Sequence, residues 1–150
     1  MKHIFMVLVC CLMAMTLHSQ TTLNDIYREF SHESNVSKVN LNGVMMFFAR
    51  PFIENETGSK ISGIRLLSLD ECSDAVKQRF NDSLLRFNDD QYELFLSSNE
   101  DDEKVRLFLK FKDNRIREMV VMTMGENPAL VQLKGEINLS DIENLSNGRK

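Results

Sequence analysis

The residue types that act as nucleophiles or metal ligands are few in this sequence, and most of them lie near its start. The chain of 150 residues contains three cysteines and three histidines. Four of these six lie in the first 18 positions: His3, Cys10, Cys11 and His18. A zinc site of the usual kinds needs several Cys or His ligands, and only Cys72 and His32 remain beyond that segment. The sequence therefore predicts no metal site and no cofactor.

Cys72 and His32 are the one pair left that could supply a thiolate nucleophile and its base. Acidic residues surround Cys72 in the stretch LDECSD, and neighbouring negative charge raises the pKa of a thiol. We therefore expect a half-buried structural cysteine and a surface histidine. An enzyme would have to use carboxylates such as Asp70, Glu71 and Asp74, which fit better as acids favoured by a helix N-terminus. A protein without catalytic residues is predicted.

The first 19 residues have the pattern of a cleaved secretory signal peptide. A basic start at Lys2 precedes an uncharged apolar run over 4–17, which is shorter than the roughly 20 residues that a transmembrane helix needs. Ser19 is the small residue best placed before the cleaved bond, and cleavage after Gln20 is the near alternative. The pattern predicts a single domain over 20–150 in the periplasm, associated with the outer membrane, or secreted.

A lipid anchor on Cys10 or Cys11 is not expected. Lipoprotein processing needs a small residue directly before the cysteine, and Cys10 follows Val9 while Cys11 follows Cys10. The apolar run ahead of them is also incomplete. Both cysteines are therefore assigned to the segment that is removed.

The composition of the remaining domain excludes some classes of partner. Loss of Lys2 leaves 17 basic residues against 22 acidic ones, so the net charge of the mature chain is near −5. Nucleic-acid binding calls for a clearly basic domain and is not expected. With one cysteine left, an intramolecular disulfide cannot form, so stability has to come from packing in one core.

The first 90 residues indicate helices interrupted by short strands. Thr22 starts a capping-box pattern that predicts a helix over 23–33. Ser73 caps a second helix, which carries an apolar stripe up to Phe87. The other predictions are a short strand over 36–41, a helix from an Asn42 cap that stops before Pro51, and a strand over 61–69.

After residue 90 the pattern changes to one strand after another. Four apolar runs are separated by short polar turns: 91–98, 104–111, 115–124 and 128–137. Runs so close together leave no room for crossover helices and predict an antiparallel meander. A last helix follows, capped by Ser140. The predicted fold class is α+β, with an antiparallel sheet of four to six strands, a C-terminal β-meander and helices packed on one face.

Alternation along these strands predicts a basic patch on the sheet face away from the helices. Arg106, Phe108 and Lys110 share one side of their strand, and Gln132 and Lys134 point outward from the last strand. The candidate partner surface consists of Arg106, Phe108, Lys110, Arg117 and Lys134. An ordinary solvated sheet face is the alternative reading.

The stretch over 117–145 resembles DUF4252, a family of uncharacterised exported proteins found mainly in Bacteroidetes. The resemblance extends over most of the mature chain. Its distinctive pattern is GxIxLxxI, which here is Gly135, Ile137, Leu139 and Ile142. The family has no established activity, so the resemblance implies an envelope-associated or periplasmic protein and transfers no catalytic residue.

Three further patterns have features of known sites. Asp82-Ser83-Leu84 resembles the tripeptide that Bacteroidetes modify with O-glycans on exported proteins, which makes Ser83 a candidate O-glycosylation site. The acidic stretch over 99–103 fits a solvated hairpin turn better than a calcium loop. The methionines fit core filling better than a copper site.

These features predict an exported, non-enzymatic interaction or regulatory module of the cell envelope, with an unidentified envelope protein as its partner. The alternative is a periplasmic carrier of a small apolar ligand held between helices and sheet. No transmembrane segment is expected after cleavage.

Overall fold

The computed structural model describes residues 20–38 and 43–148, which form four helices and five strands. In chain order these are α1 (Leu23–Phe30), α2 (Gly43–Ile53), β1 (Lys60–Ser68), α3 (Asp74–Leu85), β2 (Glu93–Glu100), β3 (Glu103–Lys112), β4 (Arg115–Met124), β5 (Ala129–Ile137) and α4 (Leu139–Asn147). No helix in these ranges is both long enough and apolar enough to cross a membrane.

The five strands form one antiparallel sheet in the order β1-β5-β4-β3-β2. The α+β class and the C-terminal meander are confirmed. Two-residue turns close the first two hairpins: Asp101 and Asp102 have φ of 47° and 64°, and Asp113 and Asn114 have φ of 54° and 57°. Asp and Asn tolerate this left-handed conformation, which suits the twist of the strands. β1 and β2 are the two edges of the sheet.

The pairing of β1 with β5 requires glycine at position 135. Gly135 has φ of 149° and lies opposite Ile61. A Cβ atom at this position would lie 2.1 Å from the carbonyl oxygen of Lys60. Only glycine allows the two backbones to approach so closely.

Helices cover both faces of the sheet, which corrects the prediction that they pack on one face. α1 and α3 cover the face that carries Phe108 and Met122, and α2 and α4 cover the face that carries Leu107 and Val121. The reason lies in β4, where all side chains over 119–124 are buried. Because alternate residues point to opposite faces, a strand that is apolar throughout needs a cover on each side.

α1 and α3 begin where the sequence predicts. Thr22 Oγ1 accepts the N–H of Asp25 at 3.3 Å, and the Asp25 carboxylate accepts the Thr22 N–H at 3.2 Å, which completes the capping box. Ser73 Oγ accepts the N–H of Val76 at 3.4 Å. α1 ends at Phe30, earlier than predicted, since the polar residues that follow add nothing to its buried face.

α2 continues through Pro51 to Ile53, so the prediction that it stops before the proline is wrong. Proline removes one backbone donor near the end of the helix. Burial of Phe52 against the sheet favours continuation in spite of that loss. The expected cap at Asn42 lies outside the described residues.

Two other boundaries differ from the sequence prediction. Of the expected strand over 36–41, Ser37 forms an isolated bridge with Ser68, and the part beyond residue 38 lies outside the described residues. α4 begins after Asn138 instead of Ser140. Its start is held by Ser59, whose hydroxyl accepts the Asn138 N–H at 3.0 Å and donates to Asp141 at 2.6 Å.

Candidate functional site

The predicted basic patch does not form a free surface, because its aromatic centre is buried. Arg106, Phe108 and Lys110 share one face of β3 as predicted, but that face is the one covered by α1 and α3. Phe108 is 5% exposed and packs edge-on against Phe87, with ring centroids 5.0 Å apart. The Arg106 guanidinium lies 4.7 Å from the centre of the Phe108 ring. The prediction of an exposed Phe108 is therefore wrong.

Lys110 and Lys134 meet at a carboxylate that sequence reasoning missed. Glu118 lies opposite both residues in the strand register, and Lys110 Nζ is 3.5 Å from Glu118 Oε1. The Glu118 side chain is only 14% exposed. Alternation along β4 was the available signal, since it puts Glu118 on the same face as buried Val120.

Glu118 is held as a carboxylate by several donors. Gln132 Nε2 donates to it at 2.6 Å, and the Tyr92 hydroxyl donates to it as well. Burial raises the pKa of the Glu118 carboxyl, but the hydrogen bonds from Tyr92 and Gln132 and the charge of Lys110 outweigh it, so its pKa lies below the ordinary value. Burial and the hydrogen bond to Glu118 both raise the pKa of Tyr92.

Arg65 extends this polar cluster to α1. Its Nε donates to Gln132 Oε1 at 2.8 Å and its Nη2 donates to Asn24 Oδ1 at 3.0 Å. The guanidinium lies 4.1 Å from the centre of the Tyr27 ring, and the Tyr27 hydroxyl donates to the Arg65 carbonyl at 2.8 Å. Gln132 is buried, so its predicted outward position is wrong.

Most polar groups of this cluster are hydrogen-bonded or ion-paired to one another. The cluster therefore links α1 and the segment before β2 to four strands of the sheet: β1, β3, β4 and β5. A small polar groove of about 190 Å³ opens beside it, lined mainly by the start of α1, by Tyr92 and by Glu118. Through Tyr92 the cluster fixes the segment that leads into β2. The two lysines of the predicted patch thus balance a buried charge.

Arg117, the last member of the predicted patch, lies elsewhere. A register shift between Ile116 and Glu118 displaces it from the regular alternation. Its Nη1 donates to Glu136 Oε1 at 3.1 Å, and Arg115 Nη1 approaches the same oxygen at 3.4 Å. The five residues predicted to form one partner surface therefore lie in three separate places.

Ser83 is 4% exposed, and its neighbour Leu84 is fully buried. A glycan on the Ser83 hydroxyl would have to occupy space already filled by the core. The folded chain therefore does not fit the candidate O-glycosylation at this position.

Cys72 is buried and His32 is exposed. Burial raises the pKa of the Cys72 thiol, and nearby Glu33 raises it further. Its Sγ lies 3.5 Å from the carbonyl oxygen of Ser34. Cys72 is thus more deeply buried than expected, and its surroundings do not favour a thiolate. Within the described ranges, no group of three or more His, Cys, Asp or Glu side chains is arranged to hold a metal ion.

The edge strand β2 is the most open part of the sheet. None of its eight residues is buried. Leu94 is 51% exposed and Phe95 is 40% exposed. The pairing with β3 shifts register between Leu94 and Leu96, which leaves Phe95 in a bulge. In the part of the chain that the structure describes, no strand pairs with the outer side of β2.

Both ends of β2 are acidic, and we call β2 with these flanking acids the β2 edge. The segment over 89–103 holds no Lys, Arg or His. It contains seven of the 22 acidic residues in the sequence: Asp89, Asp90, Glu93, Glu100, Asp101, Asp102 and Glu103. No ion pair among the described residues involves any of these carboxylates. The central residues over 94–99 are uncharged.

A larger groove, of about 510 Å³, opens at the end of the sheet beside the start of α4. Its apolar lining includes the half-exposed Phe111 and Leu139, and Arg115 and Glu136 supply charge. Ile116 and Ile137, which belong to the core under α2 and α4, also line this groove.

Comparison with known proteins identifies a family. The sequence profile described as "Domain of unknown function (DUF4252)" matches residues 27–145. No curated protein and no solved structure matches the chain. The profile match extends over most of the chain and includes every strand of the sheet. The chain therefore belongs to the DUF4252 family.

Proposed function

We propose that this protein is exported to the cell envelope and acts there as a non-enzymatic interaction module, which binds an extended segment of a partner protein along the outer side of β2. The observation that carries the proposal is the β2 edge itself, an eight-residue edge strand with no buried residue. The export step rests on the leader-like pattern of residues 1–19 and on the resemblance to exported proteins.

The chemistry of an open edge supports this mode of binding. An edge strand presents unpaired N–H and C=O groups, and an extended peptide can pair with them as an additional strand. The exposed side chains of Leu94 and Phe95 offer apolar contact beside that backbone. β2 is about 27 Å long, enough for six to eight paired residues.

β2 is also held in place before any partner arrives. It pairs with β3 from Glu93 to Glu100, apart from the bulge at Phe95. Tyr92, just before it, contacts the Phe87 ring at 5.8 Å between centroids and donates to Glu118. A preorganised edge avoids the entropy cost of ordering the strand on binding.

The carrier of a small apolar ligand has less support. Its ligand would lie between helices and sheet, where Met119 and Met122 are fully buried and packed in the two core layers. The groove near Phe111 and Leu139 is open to solvent at the end of the sheet. An apolar ligand there would remain partly in water.

The proposal is tested by recovery of the partner from the envelope of the native host after cross-linking. The test variant is Leu94→Lys with Phe95→Lys, which keeps the strand but places charge on its apolar centre. The matched control is Ile53→Lys with Leu85→Lys, since both residues are also exposed and apolar but lie away from β2.

We expect the wild type and the control to recover the same envelope protein and the test variant to lose it. All three chains should retain the same thermal unfolding midpoint, because every substituted side chain is exposed. Equal recovery by the test variant would contradict docking at β2.

A further inference from the structure

We infer that the partner segment has an uncharged, alternating apolar centre and Lys or Arg residues at both of its ends. This inference rests on the proposed function and adds the chemical class of the partner. Its basis is the distribution of charge along the β2 edge.

The acids of the β2 edge are placed at its two ends. Asp89, Asp90 and Glu93 lie at the start, and the remaining four carboxylates follow the strand over 100–103. A segment paired along β2 would lie with its own ends beside these two groups. Cationic ends would be attracted at both places, in either strand direction, and anionic ends would be repelled.

Cations on the neighbouring strand do not cancel this charge. Lys104 lies opposite Asn99, and Arg106 lies opposite Ser97, so both face uncharged positions of β2. Lys110 lines a groove with Asp89, but its ion pair is with Glu118, and Lys112 lies beyond the paired part of β2. Arg106 is also stacked on the Phe108 ring. The carboxylates at the two ends are left without a cationic partner in the described structure, which makes them available to one on another molecule.

A second copy of β2 is a poor occupant. Antiparallel pairing of two β2 strands over their full length would place Glu93 of one copy opposite Glu100 of the other, and parallel pairing would place like acids side by side. Like charges directly opposite one another destabilise strand pairing.

The basic edge of a second copy is also a poor occupant. β1 carries Lys60 and Arg65, but the Arg65 guanidinium is already bonded to Gln132 and Asn24. The backbone of Ser37 closes the far end of β1. A segment from another protein therefore fits the β2 edge better than either edge of this chain.

The inference is tested with two acetylated and amidated peptides, KKVTVTVTKK and EEVTVTVTEE. Each is titrated into the purified chain at low and at high ionic strength, and amide hydrogen exchange of β2 is followed. We expect the lysine-ended peptide to bind at least about tenfold more tightly and to lose that advantage at high salt. It should slow exchange at outward-facing amides of β2.

A charge-matched pair of variants locates the effect. Glu93→Gln, Glu100→Gln and Asp102→Asn together should weaken the lysine-ended peptide about tenfold. Asparagine is used at 102 because φ there is 64°, which asparagine tolerates. The control combines Glu71→Gln, Glu126→Gln and Glu143→Gln, three exposed residues outside the β2 edge, and should bind like the wild type.

The outcomes separate the inference from the proposed function. Equal binding of both peptides with protection of β2 would keep strand addition and overturn the requirement for basic ends. Absence of β2 protection with either peptide would overturn the inference, while recovery of the envelope partner decides the proposed function on its own. A third outcome is that the wild type binds neither peptide while the variant with neutralised β2 acids self-associates. The acids would then serve to prevent pairing between copies of this chain, and the inference would be overturned.

Discussion

The two edges of the sheet are treated differently by the same chain. At the β1 edge, the Ser37 N–H donates to the Ser68 carbonyl at 2.9 Å, and the Ser68 N–H donates back to the Ser37 carbonyl at 2.8 Å. The β2 edge has no such backbone cover among the described residues and carries acids at both ends instead. The chain thus covers the last residue of β1 with its own backbone and leaves the whole of β2 open between two groups of carboxylates.

This difference bears on how an exposed edge strand avoids unwanted pairing with other chains. Proteins blunt edge strands with charge, bulges or a covering segment, since an open edge can pair with another chain. β2 has the bulge at Phe95 and the charges, but the charges flank the apolar centre and do not interrupt it. Such an edge disfavours pairing with a second copy of β2 and still allows pairing with a partner segment of opposite charge.

The largest effect is expected from breaking the pairing of β1 with β5. Gly135→Ala would place a Cβ 2.1 Å from the Lys60 carbonyl oxygen, so β1 has to move away from β5. We expect a loss of about 3 kcal/mol in the free energy of unfolding. The control is Gly63→Ala in the same strand pair, whose Cβ would lie 3.9 Å from Lys134 Cβ, an ordinary contact. Equal effects of the two substitutions on urea unfolding would contradict the role given to Gly135.

The next effect concerns the anchor of the open side. Glu118→Gln would place an NH2 group either against Lys110 or against the donors Gln132 and Tyr92, and it would remove the charge that Lys110 faces, so we expect a loss of about 1–2 kcal/mol at neutral pH. The pKa of Glu118 is lowered in the folded chain, so its carboxylate stabilises the fold above the ordinary pKa, and this contribution is lost as the pH falls through the folded value. The variant should therefore lose less stability than the wild type on acidification. Urea unfolding over a series of pH values tests this, with Glu143→Gln as control; parallel curves for wild type and Glu118→Gln would count against it.

A smaller effect is expected from opening the β1 edge. Ser37→Pro removes the N–H that donates to the Ser68 carbonyl, and Ser37→Ala keeps it. We expect the proline variant to lose about 1 kcal/mol, with the alanine variant close to wild type. Loss of one bond of the bridge should also weaken the bond from the Ser68 N–H to the Ser37 carbonyl, so the Ser68 amide should exchange faster. Hydrogen exchange measures both, and unchanged exchange at Ser68 in the proline variant would show that this bridge does not close the edge.

The smallest effect is expected at the partner surface that was predicted from the sequence. Arg117→Ala with Lys134→Ala removes an ion pair to Glu136 and one of the two lysines beside Glu118. Lys110 and the hydrogen bonds to Glu118 remain, so stability should change by less than about 1 kcal/mol. Recovery of the envelope partner should be unchanged. Loss of the partner with a normal unfolding midpoint would restore the basic patch as the docking surface and count against the β2 edge.

Much of the fold was predictable because local patterns decide it. Capping residues and apolar spacing located α1 and α3, and the turn residues Asp113 and Asn114 located a hairpin. The sequence did not predict that helices pack on both faces of the sheet. Alternation along a strand indicates which residues share a face, but it does not indicate which element packs on that face. The apolar run in β4 was the one signal of two covered faces.

The candidate site was less predictable. Charge and alternation grouped Lys110 and Lys134 correctly on one face, but burial of Phe108 depends on Phe87, which lies far along the chain. Glu118 was missed because a charged residue in a strand suggests solvent unless its cross-strand partners are known. The openness of β2 depends on strand order, which places it at an edge. Sequence patterns alone do not give that order.

The central claim is that the β2 edge, and not the β1 edge, receives the partner. The most direct measurement replaces Phe95 or Ile64 with a photo-crosslinking phenylalanine analogue in the native host, because these two residues lie on opposite edges and are 40% and 41% exposed. We expect a discrete cross-linked species from position 95 and none from position 64. A cross-link from position 64 alone, or equal cross-links from both positions, would contradict the account.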